Sequence, residues 1–100
     1  MNFIVPFRFI LIFIDNLNIN FKMDTFTKEK VAKHNSKSSC WIIINNLVYD
    51  VTNFLKDHPG GESILVSMGG KESTETFEMF HKLSVLDKHG KKYIIGEILA

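Results

Sequence analysis

The sequence predicts an α+β domain: a small mixed β-sheet with two pairs of short helices inserted between its strands. Three observations lead there. The apolar, β-branched run "CWIII" (residues 40–44) is followed across Asn45-Asn46 by the alternating "LVYDV" (47–51). A further strand-like stretch, "KYIIGEI" (92–98), closes the chain. Between these lie only short helical segments, cut by Pro59-Gly60-Gly61 and by Gly69-Gly70. Strands at both ends with helices gathered between them mark α+β rather than an alternating α/β chain.

Each element has its own signal. Thr27 is placed to cap a helix over "KEKVAKH" (28–34), which turns Val31 and Ala32 inward and ends at Asn35 and Ser36. "CWIII" is continuously apolar, as a strand buried on both faces requires. Asn45-Asn46 is a two-residue connection whose side chains tolerate positive φ, so the two strands form a hairpin. "TNFLKDH" (52–58) reads as a short helix capped by Thr52. "ESILVSM" (62–68) is a further one to two turns with Ile64, Leu65 and Met68 on one face, stopped by Gly69-Gly70. "KESTETFEMF" (71–80) follows, with Thr74, Phe77 and His81 along one stripe. "KLSVLDKHG" (82–90) is expected to be the last helix, ending at Gly90. Helices this short do not persist alone and need something to pack against.

Composition bounds the function. One hundred residues, 45% apolar and 23% charged with a net charge of +1, make a single ordinary domain with no sign of nucleic-acid binding. The charge is uneven: Phe54 to Asp87 holds six acids against three lysines, which suggests an acidic face. Cys40 is the single cysteine, so no internal disulfide can form, and an intracellular, cytoplasmic setting is expected. Residues 1–22 stand apart. "FIVPFRFILIFI" (3–14) is intensely apolar, but Pro6 and Arg8 interrupt it and it falls short of the roughly 20 residues of a membrane-spanning helix. It also lacks the charged start and small-residue cleavage site of a secretory signal. It reads as an upstream extension to a working domain over residues 23–100, with a poor signal-anchor and a strand-like or disordered appendage as the other readings.

The chemistry lies in the histidines. His34 ends a helix and His89 sits in the polar "DKHGKK", so both read as ordinary surface or hydrogen-bonded residues. His58 differs, because Pro59 disfavours the α conformation before it and so ends the helix there. Gly60 and Gly61 permit a tight turn and let backbone approach a flat ligand closely. His81 mirrors His58 from the second helix pair, which it breaks just after Phe77 and Phe80. Two imidazoles among large apolar residues suit the two axial positions of haem iron. A structural zinc site would want four protein ligands, and the chain has one thiol. Residues and spacing leave three readings open at this point: haem, ordinary structural histidines, or another metal.

The ordered set "WIIINNLVYDVTNFLKDHPGGE" (41–62), "GGKESTETFE" (69–78) with a histidine shortly after, and "YIIGEI" (93–98) resembles the cytochrome b5 family over about Phe26 to Ile98. The resemblance implies a pocket for non-covalent haem b, iron protoporphyrin IX, with His58 and His81 as axial ligands. It places pocket positions at Ile44, Val51, Phe54, Ile64, Leu65, Phe77, Val85 and Tyr93, beside Gly60 and Gly61, and makes Trp41 a core residue. Around the second histidine, "MFHKLS" departs from the Gly-His-Ser of microsomal members. The 23 positions from His58 to His81 are one fewer than in those members and look more like family modules fused to oxidoreductases.

The function so implied is a one-electron carrier rather than an enzyme. A flavoprotein reductase would be its donor and a haem or non-haem iron oxidoreductase its acceptor, each contacted through the haem edge. Glu62, Glu72, Glu75 and Glu78 are candidates for the acidic face that steers such partners. A soluble monomer is expected, with membrane contact only through residues 1–14. The alternatives are a haem-binding module of a larger oxidoreductase, and a non-redox haem- or partner-binding module of the same fold.

Overall fold

The computed structural model describes residues 23–99, and the apolar extension over residues 1–22 lies outside the described residues. The chain runs β1 (Thr25–Phe26), α1 (Lys28–Ala32), β2 (Asn35–Ser36), β3 (Ser39–Ile44), β4 (Leu47–Asp50), a 3-10 helix (Thr52–Asp57), α2 (Glu62–Met68), α3 (Thr74–Phe80), a π-helix (Leu86–Gly90), a 3-10 turn (Lys91–Tyr93) and β5 (Ile94–Ile98). The strands form one sheet in the order β1-β5-β4-β3-β2, with β1 parallel to β5 and the other pairs antiparallel. The α+β expectation therefore holds, and every helix but α1 lies between β4 and β5 in sequence.

The hairpin follows from its turn. Asn45 and Asn46 take φ of 52° and 67°, and this left-handed pair aligns Ile44 with Leu47 and Trp41 with Asp50. On β3, Ile42, Ile43 and Ile44 are all buried, as a strand covered on both faces requires. The two faces belong to two clusters. Cys40, Ile42 and Ile44 pack with Tyr49, Val51, Leu55 and Leu65, whereas Ile43 packs with Val31 and Val48. Trp41 backs the second cluster, tilted against Phe26 at 5.0 Å and stacked on His34 at 3.6 Å and 8°. His34 also lies 2.6 Å from the Ser39 hydroxyl, so it is a hydrogen-bonded structural residue.

Several local expectations give way to tertiary context. Thr27 does cap α1, accepting from the Lys30 amide at 3.0 Å, but the helix stops at Ala32, which is exposed while Val31 is buried. Asn35 and Ser36 do more than end a helix: they pair as β2 with Cys40 and Ser39. Thr52 is not a cap, since it lies inside its 3-10 helix. Its hydroxyl accepts from the Cys40 amide at 2.9 Å and donates to Asp50 Oδ1 at 2.6 Å, and that same Oδ1 takes the Thr52 amide at 3.1 Å. The carboxylate of Asp50 thus takes up the first amide of this helix. The last helix does end at Gly90, but it is wound there as a π-helix over Leu86–Gly90. A 3-10 turn over Lys91–Tyr93 follows it at once, so β5 starts at Ile94, two residues later than the strand-like stretch suggested.

The loop between α2 and α3 is stitched to the edge of β3. The Gly70 amide donates to Trp41 O at 2.6 Å, Ile43 N to Lys71 O at 3.0 Å, and Ser73 N to Ile43 O at 2.7 Å. The Asn45 amide donates to Thr74 Oγ1 at 2.8 Å. These bonds fix the start of α3 against the hairpin and leave its far end to open over the sheet. No helix among the described residues is long and apolar enough to cross a membrane.

Candidate functional site

The helices stand off one face of the sheet and enclose a cavity of about 980 Å³, near the top of the roughly 300–1,000 Å³ range of small-molecule sites. Its floor is Ile42, Ile44, Tyr49 and Val51 from the sheet. Phe54, His58 and Gly60 wall it on one side, with Ile64, Leu65 and Met68 from α2, and Phe77, Phe80 and His81 complete the other side with Val85 and Tyr93.

His58 is held from two directions. The 3-10 helix ends at Asp57, and His58 turns extended at φ −68° and ψ 122°, as a residue before proline should. Its Nδ1–H donates to the Gly61 carbonyl at 2.8 Å, while Phe54 meets the ring edge-on at 5.8 Å. The tautomer follows: with Nδ1 protonated, Nε2 carries the free lone pair. Gly61 stands at φ 97° and ψ 153°, which side-chain-bearing residues avoid. A Cβ on Gly60 would lie 3.0 Å from His58 Cε1, so this glycine leaves the space the ring uses.

His81 reaches the cavity by another route. It does not continue the α3 stripe with Thr74 and Phe77, because Thr74 turns to the Asn45 amide and His81 itself is extended at φ −142° and ψ 153°. Its amide still closes the helix on Phe77 O at 2.9 Å, and its ring lies 4.9 Å from that of Phe77. Phe80, just before it, is 70% exposed and borders the cavity.

Among the sequence-predicted positions, Ile44, Val51, Phe54, Gly60, Ile64, Leu65, Phe77, Val85 and Tyr93 border the cavity with both histidines. Gly61 does not, and acts through its carbonyl on His58 instead. Ile42, Tyr49, Met68, Phe80, Leu86 and His89 border it as well and were not foreseen. Strand alternation could have flagged Ile42 as the neighbour of Ile44 on one face. Burial, and secondarily the Asp87 carboxylate, push the Tyr49 hydroxyl up to about 12. Burial also raises the Cys40 thiol, with Asp50 adding to it, and that thiol donates to Leu65 O at 3.7 Å. None of the four candidate glutamates borders the cavity: Glu62 pairs with Lys37 at 3.3 Å, and Glu72 accepts from the Thr74 amide and hydroxyl.

Among the described residues no three His, Cys, Asp or Glu side chains gather as a metal cage would need. The structure shows an apolar cavity bordered by two imidazoles, each set at the end of a separate helix. Such a site defines a class: a small α+β domain with an apolar ligand cavity bordered by a pair of histidines. Residues 27–99 match the family described as the cytochrome b5-like haem/steroid-binding domain. The chain belongs to that family.

Its relatives agree. It is 51% identical over 74 residues to a cytochrome b5-type protein of Neurospora crassa, covering 74% of this chain and 89% of that one. It is 49% identical over 76 residues to cytochrome b5 of Drosophila melanogaster, covering 75% of this chain but only 56% of the relative. The chain thus spans little more than half the length of several of the relatives it matches. Among solved structures it is similar to the cytochrome b5 of Ostreococcus tauri virus 2, with a TM-score of 0.69 and 40% identity over 74% of this chain and 95% of that one. It is also similar to cytochrome b558 of Ectothiorhodospira vacuolata, described as a prokaryotic homologue of cytochrome b5, with a TM-score of 0.67 and 33% identity over 76% of this chain and 99% of that one. Domains of this family bind b-type haem non-covalently. The apolar walls, the His58 ring with its free Nε2 and the clearance left by Gly60 suit that group.

Proposed function

We propose that the chain is a one-electron carrier in which His58 and His81 are the two axial ligands of non-covalent haem b. The observation that carries this reading is the pair of imidazoles on one apolar cavity, each set at the end of its own helix. When bound, the haem supplies an iron that passes between ferric and ferrous states. The Gly61 carbonyl orients the His58 ring and raises its basicity as a ligand, and the Phe77 ring lies beside His81. Ile44, Val51, Phe54 and Leu65 exclude water from the slot. With both imidazoles holding the group, no position would be left for dioxygen or substrate, and the proposed carrier has no catalytic residue.

The proposed donor is a flavoprotein reductase, and the proposed acceptor is a haem or non-haem iron oxidoreductase. Both would dock at the cavity mouth, where an electron has the shortest path. An intracellular, cytoplasmic setting belongs to the same proposal, supported by the single buried thiol.

An optical spectrum tests the ligation. The purified chain with haem should give a sharp low-spin Soret band and resolved α and β bands on reduction. His58→Ala and His81→Ala should each leave a five-coordinate or haem-depleted protein. Ready binding of carbon monoxide to the reduced parent, or unchanged spectra in either variant, would overturn the assignment.

A further inference from the structure

One stretch of the cavity wall differs from the rest in charge. Every residue from Leu86 to Tyr93 borders the cavity, which a regular α-helix cannot arrange because it turns only every third or fourth residue to one side. Here the chain widens into the π-helix over Leu86–Gly90 and tightens at once into the 3-10 turn over Lys91–Tyr93. The change of winding brings Lys88, Lys91 and Lys92 to one rim, all three exposed. Lys92 Nζ stands 5.3 Å from the centroid of the Tyr93 ring, itself part of the wall. Among the described residues the only other charged side chains around the cavity, histidines aside, are Asp57 and Asp87.

We propose that this rim binds the two carboxylates that haem b carries on one edge, so that Lys88, Lys91 and Lys92 fix which edge of the ligand faces out. The inference rests on the haem reading above. A flat ring with two acids on one side cannot bury that side in an apolar slot without a large desolvation cost. The acidic edge therefore belongs at the mouth, and this rim is where the mouth is cationic. Lysine suits the task, because its ammonium is a compact charge on a flexible stem that follows a carboxylate in water. A neutral flat ligand, such as a steroid, gains nothing from these residues, so the rim also selects an acidic ligand over a neutral one.

The test follows haem transfer from the full chain to excess apomyoglobin, using protohaem IX and its dimethyl ester. The triple variant Lys88→Gln/Lys91→Gln/Lys92→Gln should release protohaem about three- to tenfold faster than the parent, as solvent-exposed ion pairs to two carboxylates would allow. Its low-spin spectrum should be unchanged, and added salt should narrow the gap. The ester should leave parent and variant at the same rate. A second variant, Lys30→Gln/Lys33→Gln/Lys56→Gln, removes as much charge away from the cavity and should release protohaem like the parent. Equal release of protohaem from parent and rim variant would overturn the proposal, as would equal acceleration of acid and ester. A parent chain that takes up neither pigment would refute the haem reading itself, and with it this inference.

Discussion

His58 and Gly61 are tied to each other twice: the ring Nδ1–H donates to the Gly61 carbonyl at 2.8 Å, and the Gly61 amide donates to the His58 carbonyl at 2.9 Å. The second bond closes the turn and the first uses it to set a side chain. Backbone geometry and ligand geometry are thus one feature, and each glycine should fail in its own way when changed.

Gly61→Ala forces a side chain into φ 97°, which should cost about 1–3 kcal/mol of stability in urea titrations of the apo-protein. Gly60 has no positive φ, but its added Cβ would press on His58 Cε1 at 3.0 Å. Gly60→Ala should therefore change stability less and haem release more. The reverse ranking would show that the turn does not position the ring.

Ile43 and Ile44 are neighbours on β3, 2% and 1% exposed, and belong to opposite clusters. Ile43→Ala and Ile44→Ala should each destabilise the domain by about 2–5 kcal/mol. Only Ile44→Ala opens the cavity floor, so only it should accelerate transfer of haem to apomyoglobin. Matching transfer rates for the two would contradict the two-faced reading of this strand.

Tyr49 gives an alkaline signature. Its hydroxyl is raised from 10.0 to about 12, first by burial and then by Asp87, so the folded chain holds this proton more tightly than the unfolded chain does. The resulting stability is complete below pH 10.0 and is lost as pH rises toward 12. In that window the group should remove at most about 1.4 kcal/mol per pH unit. Tyr49→Phe should show no such loss, so its stability relative to the parent should improve across the window. A difference that stays constant there would mean that the hydroxyl titrates as it does in water.

Removing haem should loosen the helices before the sheet. The 3-10 helix, α2 and α3 have 6, 7 and 7 residues, well under the roughly 12–15 an isolated helix needs. Hydrogen exchange of the apo-protein should be fast between Thr52 and Gly90 and slow in β3, β4 and β5. Uniform protection in apo and holo forms would argue against a cavity completed by its ligand.

Much of this was legible because it is local. The Asn45-Asn46 turn, the buried β3 run, the Thr27 cap and the break at His58 each follow from a few adjacent residues acting on their own backbone. The two-residue strands β1 and β2 were not, since two residues carry no periodicity. β1 exists because Thr25 and Phe26 align with Glu97 and Ile98 from the far end of the described chain. Thr52 looked like a cap by type, but the Asp50 carboxylate and the Cys40 amide, brought together by the hairpin, claimed its hydroxyl. Ala32 carried an apolar signal too small to compel burial, and Val31 alone took the core position.

For the site the division is sharper. By itself the sequence determined that His58 ends a helix in a fixed extended backbone, because proline sterics act on the residue before it. It also determined that a second histidine follows a phenylalanine-rich helix. Only the tertiary structure decided that both imidazoles open on one cavity, that Gly61 serves through its carbonyl, and that a change of helix winding lines the mouth with lysines. Those relations join residues far apart in the chain, and they exist only once the sheet has gathered the helices over one face.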